Sequence, residues 1–157
     1  MLQKDEEKHD LGFAGDAFFS AQDLNSYMAQ RRRAEHARDE ERAREAAKAQ
    51  KEQIERLMTP LEITPERLAN FKTRLRQAAE QGQSQILILR FPSDLCTDRG
   101  RAINNSEEGW ENSLAGVPKQ LVEVWREHLK PLGFGLSAEV LDYPGGMPGD
   151  IGLYCRW

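Results

Sequence analysis

The stretch SQILILRF, from Ser84 to Phe91, decides how the second half of the chain is interpreted. Its four central residues, 86–89, are aliphatic without a break, and the run is too short for an ordinary helix. Turn formers bound it, with Gly82 before it and Pro92 after it. A short apolar run between turn signals is typical of a strand covered on both faces. We therefore predict a central strand over 85–91.

A helix is predicted just before this strand. Thr64-Pro65-Glu66 combines an N-cap residue, a first-turn proline and an early acidic residue. Apolar residues then recur every three or four positions, which gives one apolar helix face: Leu68, Phe71, Leu75 and Ala78. Gly82 ends the pattern.

The segment after the strand predicts another helix and two more strands. A helix is expected from Pro118 through PKQLVEVWREHLK, then a strand over 134–143 and a strand over 151–157. The order helix, strand, helix, strand, strand indicates a small α+β or α/β domain over 60–157. We expect a three-stranded mixed sheet with helices packed on it.

The segment 21–58 has a different composition, in which charged residues and alanine dominate. Strong helix formers and oppositely charged pairs four residues apart predict one long charged helix, an N-terminal arm. Ser20 followed by Asp23 predicts its N-terminal cap. Two interpretations stay open. The helix is either solvated and docked only through Ile54, Leu57 and Met58, or it associates with another chain through its alanine residues.

Residues 1–20 form an aromatic and acidic segment ahead of this helix. Large apolar side chains here and in the first helical turns need burial, either on their own chain or in a groove of a partner. The predicted interaction residues are Phe13, Phe18, Phe19, Leu24, Tyr27 and Met28.

A ligand site is predicted where two loops leave the sheet. If the strands at 85–91 and 134–143 run parallel through a right-handed crossover, their carboxyl ends lie at the same edge, where open α/β sheets bind ligands. The loop from Pro92 and the connection 144–150 would meet there. The side chains suited to a small anionic or polar ligand are Asp94, Cys96, Asp98, Arg99, Arg101, Asn104, Asn105 and Asp150. The alternative is that they pair with one another and only stiffen the loop.

Other chemistries are disfavoured by composition. Cys96 is a candidate nucleophile, but His128, the histidine of this part of the chain, is expected at the far end of its helix. The two cysteines and three histidines lack metal-ligand spacing, and PGGMPGD lacks the lysine of a phosphate loop, so neither a metal nor a cofactor is expected. The net charge of −4 argues against non-specific nucleic-acid binding, and no apolar run is long enough to span a membrane.

Two functions follow as hypotheses. The preferred one is a non-catalytic cytoplasmic interaction or adaptor protein, which self-associates or docks on a protein partner through the helical arm and the aromatic segment. The alternative is a small-molecule-binding or enzymatic domain, with an anionic ligand held between the 92–105 loop and the 144–150 connection.

Overall fold

A computed structural model describes residues 19–157 of the protein. Its longer elements follow one another as helices α1 (Ala21–Met58) and α2 (Pro65–Glu80), strand β1 (Gln85–Pro92), helices α3 (Arg101–Asn104) and α4 (Gly116–Val124), and strands β2 (Gly135–Val140) and β3 (Asp150–Arg156). Helix α4 continues as a π-helix over Trp125–Leu129 and a 3-10 turn over Lys130–Leu132. The mixed helix and strand fold predicted from the sequence is confirmed.

The predicted caps begin both long helices. At α1 the Oγ of Ser20 accepts from the Asp23 amide at 3.1 Å, and the Asp23 carboxylate accepts from the Ser20 amide at 2.8 Å. The Ser20 hydroxyl also donates to the Asp23 carboxylate at 2.7 Å, and this bond, together with the one from the Ser20 amide, lowers the pKa of Asp23 because both favour the charged carboxylate. At α2 the hydroxyl of Thr64 accepts from the amide of Arg67 at 3.2 Å. Local sequence therefore determines where these helices start.

The sheet has the order β1-β3-β2, and β3 is antiparallel to both neighbours. The expected mixed sheet is therefore wrong in its pairing: both pairs of neighbouring strands are antiparallel. Strand β1 is an edge strand, so its predicted central position is also wrong. Strands β1 and β2 still run in the same direction on either side of β3, and their carboxyl ends do share one edge of the sheet.

A β-bulge explains why β1 resembles a central strand in sequence. The pairing with β3 shifts between Leu87 and Leu89, so Ile88 is an extra residue in the strand. Ile88 and Leu89 are consequently both half-buried, although they are adjacent. The bulge therefore accounts for Ile88 and Leu89 of the aliphatic run, whereas Leu87 is exposed.

The helices and loops pack on one face of the sheet. Inward-facing residues of β1 and β3 form the main core with side chains of the loops, α3 and α4: Phe91, Leu95, Cys96, Ile103, Leu114, Val122, Ile151 and Leu153. A smaller cluster of Ala78, Ile86 and Cys155 lies under α2. The opposite face carries Arg90 and Glu139, both exposed, beside Gly152 of β3.

The chain consists of two compact units, and the boundary between them lies within α1, between Ala47 and Lys48. The last turns of α1 belong to the unit of residues 48–157, where Ile54 and Leu57 pack against the main core. Gly116 (φ 62°), the first residue of α4, lies so close to this helix end that a Cβ atom there would meet the carbonyl oxygen of Leu57. Whether 60–157 folds without those turns stays a prediction.

Candidate functional site

The two loops predicted to form a site lie side by side. The amide of Ser93 donates to the carbonyl of Gly149 at 2.9 Å, and its hydroxyl donates to the carbonyl of Pro148 at 2.8 Å. The hydroxyl of Tyr143 donates to Oδ1 of Asn104 at 2.7 Å. The structure therefore brings the 92–105 loop and the 144–150 connection together, as the direction of β1 and β2 predicts.

Asp98 is used for folding the loop. Its Oδ1 accepts from the amide of Gly100 at 3.0 Å, and its Oδ2 accepts from the amide of Ala102 at 2.8 Å. These are the free amides at the start of α3, so the carboxylate caps that short helix. Asp98 accordingly points back into its own loop.

Three further acceptors of the predicted site have partners within the protein. Nε of Arg90 donates to Asp150 at 2.7 Å, which raises the pKa of Arg90. Asp94 accepts from Gln50 at 2.9 Å. Oδ1 of Asn105 accepts from the side-chain Nδ2 of Asn104 at 3.4 Å, and Nδ2 of Asn105 donates to Glu107 at 3.2 Å. These contacts are those of a loop that satisfies its own polar groups.

Cys96 is 3% exposed and lies in the main core. Burial, reinforced by the negative charge of Asp98, raises the pKa of its thiol to about 11. A thiol in this state is a poor nucleophile near neutral pH, because the thiolate is the reactive form. The geometry thus disfavours Cys96 as a reactive residue.

Arg99 and Arg101 are the members of the predicted site that stay available. Both side chains are exposed. Within residues 19–157 the guanidinium of Arg99 has no hydrogen bond or ion pair, and Arg101 has only a 4.0 Å pair with Glu107. Arg99 also has a positive φ of 55°, which is uncommon for a residue with a side chain. An anion would meet these two guanidinium groups without displacing a strong internal partner.

An apolar cavity that the sequence did not predict lies on the inner face of the sheet, between α2 and α4. It has a volume of about 610 Å³, within the usual range for small-molecule sites. Its apolar lining combines side chains of the sheet and of α2, α4 and the π-helix: Phe71, Ile88, Leu89, Leu121, Val124, Trp125, Leu129 and Leu136. All eight are only half-buried, because α2 and α4 do not close over the sheet.

The charged residues that line the cavity are mainly arginines: Arg56, Arg67 and Arg74, with Glu62 as the acidic exception. Arg67 donates to the carbonyl of Glu62 at 2.9 Å, and Arg74 donates to the carbonyl of Leu87 at 2.6 Å. The described residues place no carboxylate in an ion pair with any of these three arginines. The π-helix at Trp125–Leu129 forms part of the wall, and such irregular turns are frequent at functional sites.

The predicted interaction residues can be located in part. Phe13 and Phe18 lie outside the described residues. Phe19 and Tyr27 are partly buried, whereas Leu24 is 38% and Met28 is 50% exposed. Leu24, Tyr27 and Met28 are three and four residues apart, so they share one face at the start of α1.

Residues 19–157 contain neither a candidate metal-binding cluster nor a candidate membrane-spanning helix. There, His, Cys, Asp and Glu side chains form no group of three or more that would hold a metal ion. None of the helices in this range combines the length and the apolar composition needed to cross a membrane. Comparison with protein-family models, curated proteins and solved structures found no match to this chain.

Proposed function

We propose that the protein is a non-catalytic interaction protein that self-associates through α1, with the segment 21–47 of one copy antiparallel to that of a second. The observation that carries this proposal is the exposure of the apolar side chains on the segment. No residue of α1 is buried, and Leu24 and Met28 face solvent. Exposed apolar side chains on a charged helix are typical of a contact surface.

The charge pattern favours a second copy as the partner. Residues 21–47 hold six arginines and six carboxylates, and the densest blocks are Arg31 to Arg33 and Asp39 to Glu41. The block centres are eight residues apart, about 12 Å along a helix, so they do not contact each other within one chain. Two antiparallel copies crossing near His36 place each basic block against the acidic block of the other, as a two-fold interface requires.

The measurement is the mass of the full chain by light scattering at low and high salt, with a variant lacking residues 1–47 beside it. We expect a dimer that dissociates as salt rises, and a monomer for the shortened chain. Equal monomer masses for both would overturn self-association.

Block variants make the test specific for the antiparallel arrangement. R31E/R32E/R33E and D39R/E40R/E41R should each weaken the dimer, because like charges then face each other. The variant with all six changes should recover it. In the six-fold variant the charges within each helix still differ from those of the parent, and only the match between the two chains is restored. A recovered dimer therefore reports pairing between chains. Circular dichroism checks that all three variants stay helical, and failure of the six-fold variant to recover would refute this arrangement.

The proposal includes a cytoplasmic location, which is supported by two free, buried thiols, Cys96 and Cys155. A second candidate function is anion binding at the loop junction. It is favoured by one observation, the two exposed arginines Arg99 and Arg101, which lack strong partners among the described residues.

A further inference from the structure

The cavity between α2 and α4 has the composition of a site for an amphiphilic ligand. Its interior is built from aliphatic and aromatic side chains, and two apolar residues among its lining, Ile63 and Leu68, are 45% and 46% exposed. Apolar surface gathered in a concave site favours an apolar occupant, because binding removes that surface from water.

The charges at the cavity restrict the chemistry of that occupant. A guanidinium group presents five N–H donors in a planar fork, which matches a carboxylate. Arg67 and Arg74 each use one donor on a backbone carbonyl, and Arg56 forms no side-chain hydrogen bond within residues 19–157. Three arginines against the single carboxylate of Glu62 give the lining a positive balance.

We propose that this cavity binds one long-chain carboxylate, with its hydrocarbon chain among the apolar side chains and its carboxylate on the arginines. A neutral chain would leave the three guanidinium groups without an anionic partner, and a small polar anion would leave the apolar wall in water. A free fatty acid satisfies both parts of the site. This binding is independent of self-association through α1.

The experiment is a calorimetric titration of the full chain with dodecanoate, held below the concentration at which it forms micelles. We expect one dodecanoate per chain. Dodecanol, which has the same tail without the charge, should bind about tenfold more weakly, since hydrogen bonds to a charged group are stronger than neutral ones. At least one of Arg56→Gln, Arg67→Gln and Arg74→Gln should remove this preference for the carboxylate.

A filled cavity tests the location. Val124→Phe adds volume to the α4 wall and should abolish dodecanoate binding. Leu132→Phe is the matched control, because Leu132 is 72% exposed and outside the cavity lining, so this variant should bind normally. If Val124→Phe does not fold, Leu68→Trp at the exposed lining serves the same purpose.

Three results would overturn the proposal. The first is the absence of heat with dodecanoate, which would leave the cavity to a protein partner. The second is equal affinity for dodecanoate and dodecanol. The third is uptake of many molecules per chain that the filled-cavity variants do not reduce, which would indicate detergent-like adsorption.

Discussion

Replacing Gly116 by alanine tests the approach of the end of α1 to α4. Gly116 has a φ of 62°, and an added methyl group would meet the carbonyl oxygen of Leu57. A left-handed conformation costs a residue with a Cβ atom about 1–2 kcal/mol. Displacing packed neighbours costs about 1–3 kcal/mol more. We therefore expect Gly116→Ala to lower the free energy of unfolding by about 3 kcal/mol.

Gly145→Ala is the control for the conformational part of this cost. Gly145 has the same φ of 62°, but nothing lies within 4 Å of an added Cβ atom. Its replacement should cost only about 1 kcal/mol. Urea unfolding followed by tryptophan fluorescence suits both variants, because Trp110, Trp125 and Trp157 all lie within residues 48–157. Equal losses in the two variants would refute the close contact between Gly116 and Leu57.

Three further predictions concern stability and the loop site. A fragment starting at Pro60 should unfold cooperatively. A fragment starting at Lys48 should be about 2 kcal/mol more stable than it, because the longer fragment keeps the half-buried Ile54 and Leu57. Identical urea midpoints for the two fragments would contradict the contribution of these two residues. We expect the variants Arg99→Ala and Arg101→Ala to keep melting temperatures close to that of the parent. Phosphate should raise the melting temperature of the parent, and at least one of the two variants should lose this rise. If both variants are strongly destabilised and phosphate does not raise the melting temperature of the parent, the loop is purely structural. The raised pKa of Cys96 contributes stability that is fully present below the ordinary thiol pKa of 9.0 and is lost as pH rises towards about 11, because only the unfolded chain then releases the proton. Between pH 8 and pH 10 the free energy of unfolding in urea should therefore fall more for the parent than for Cys96→Ala. Equal falls in the two proteins would count against the burial of this thiol.

Local signals were sufficient to predict the starts of α1 and α2 and the approximate positions of the three strands, whereas α4 begins at Gly116, two residues before the predicted Pro118, and the short helix α3 was not predicted. The Ser20 and Thr64 caps form hydrogen bonds with neighbours three residues away, so their geometry is contained in a few adjacent residues. The pairing of β1 with β3 depends on residues that are far apart in the chain. The aliphatic run around the bulge at Ile88 is typical of a central strand, so β1 was predicted to be central. Register and edge position are tertiary properties that such a run does not contain.

The candidate sites were predictable to different degrees. The common direction of β1 and β2 was sufficient to bring the 92–105 loop against the 144–150 connection. The hydrogen bonds of Asp98 to the amides of Gly100 and Ala102 are as local as the helix caps, and an aspartate two residues before a glycine is a signal that could have predicted them. The contacts of Asp94 with Gln50 and of Asp150 with Arg90 join residues far apart in the chain, so they were not predictable. The cavity was missed because periodicity identifies the apolar faces of α2 and α4, whereas the separation of those faces decides whether they form a core or a site.

The position of β3 between β1 and β2 also determines the order of events during synthesis. The ribosome delivers both outer strands before the strand that joins them. Until Ile151 and Leu153 emerge, Phe91 and Val140 have no sheet partner between them, and nascent apolar surface is exposed. A chain synthesised only as far as Gly149 therefore contains the segments of α1, α2 and α4 but lacks the strand that joins β1 to β2, so the apolar residues of those two strands lack the neighbours that β3 provides.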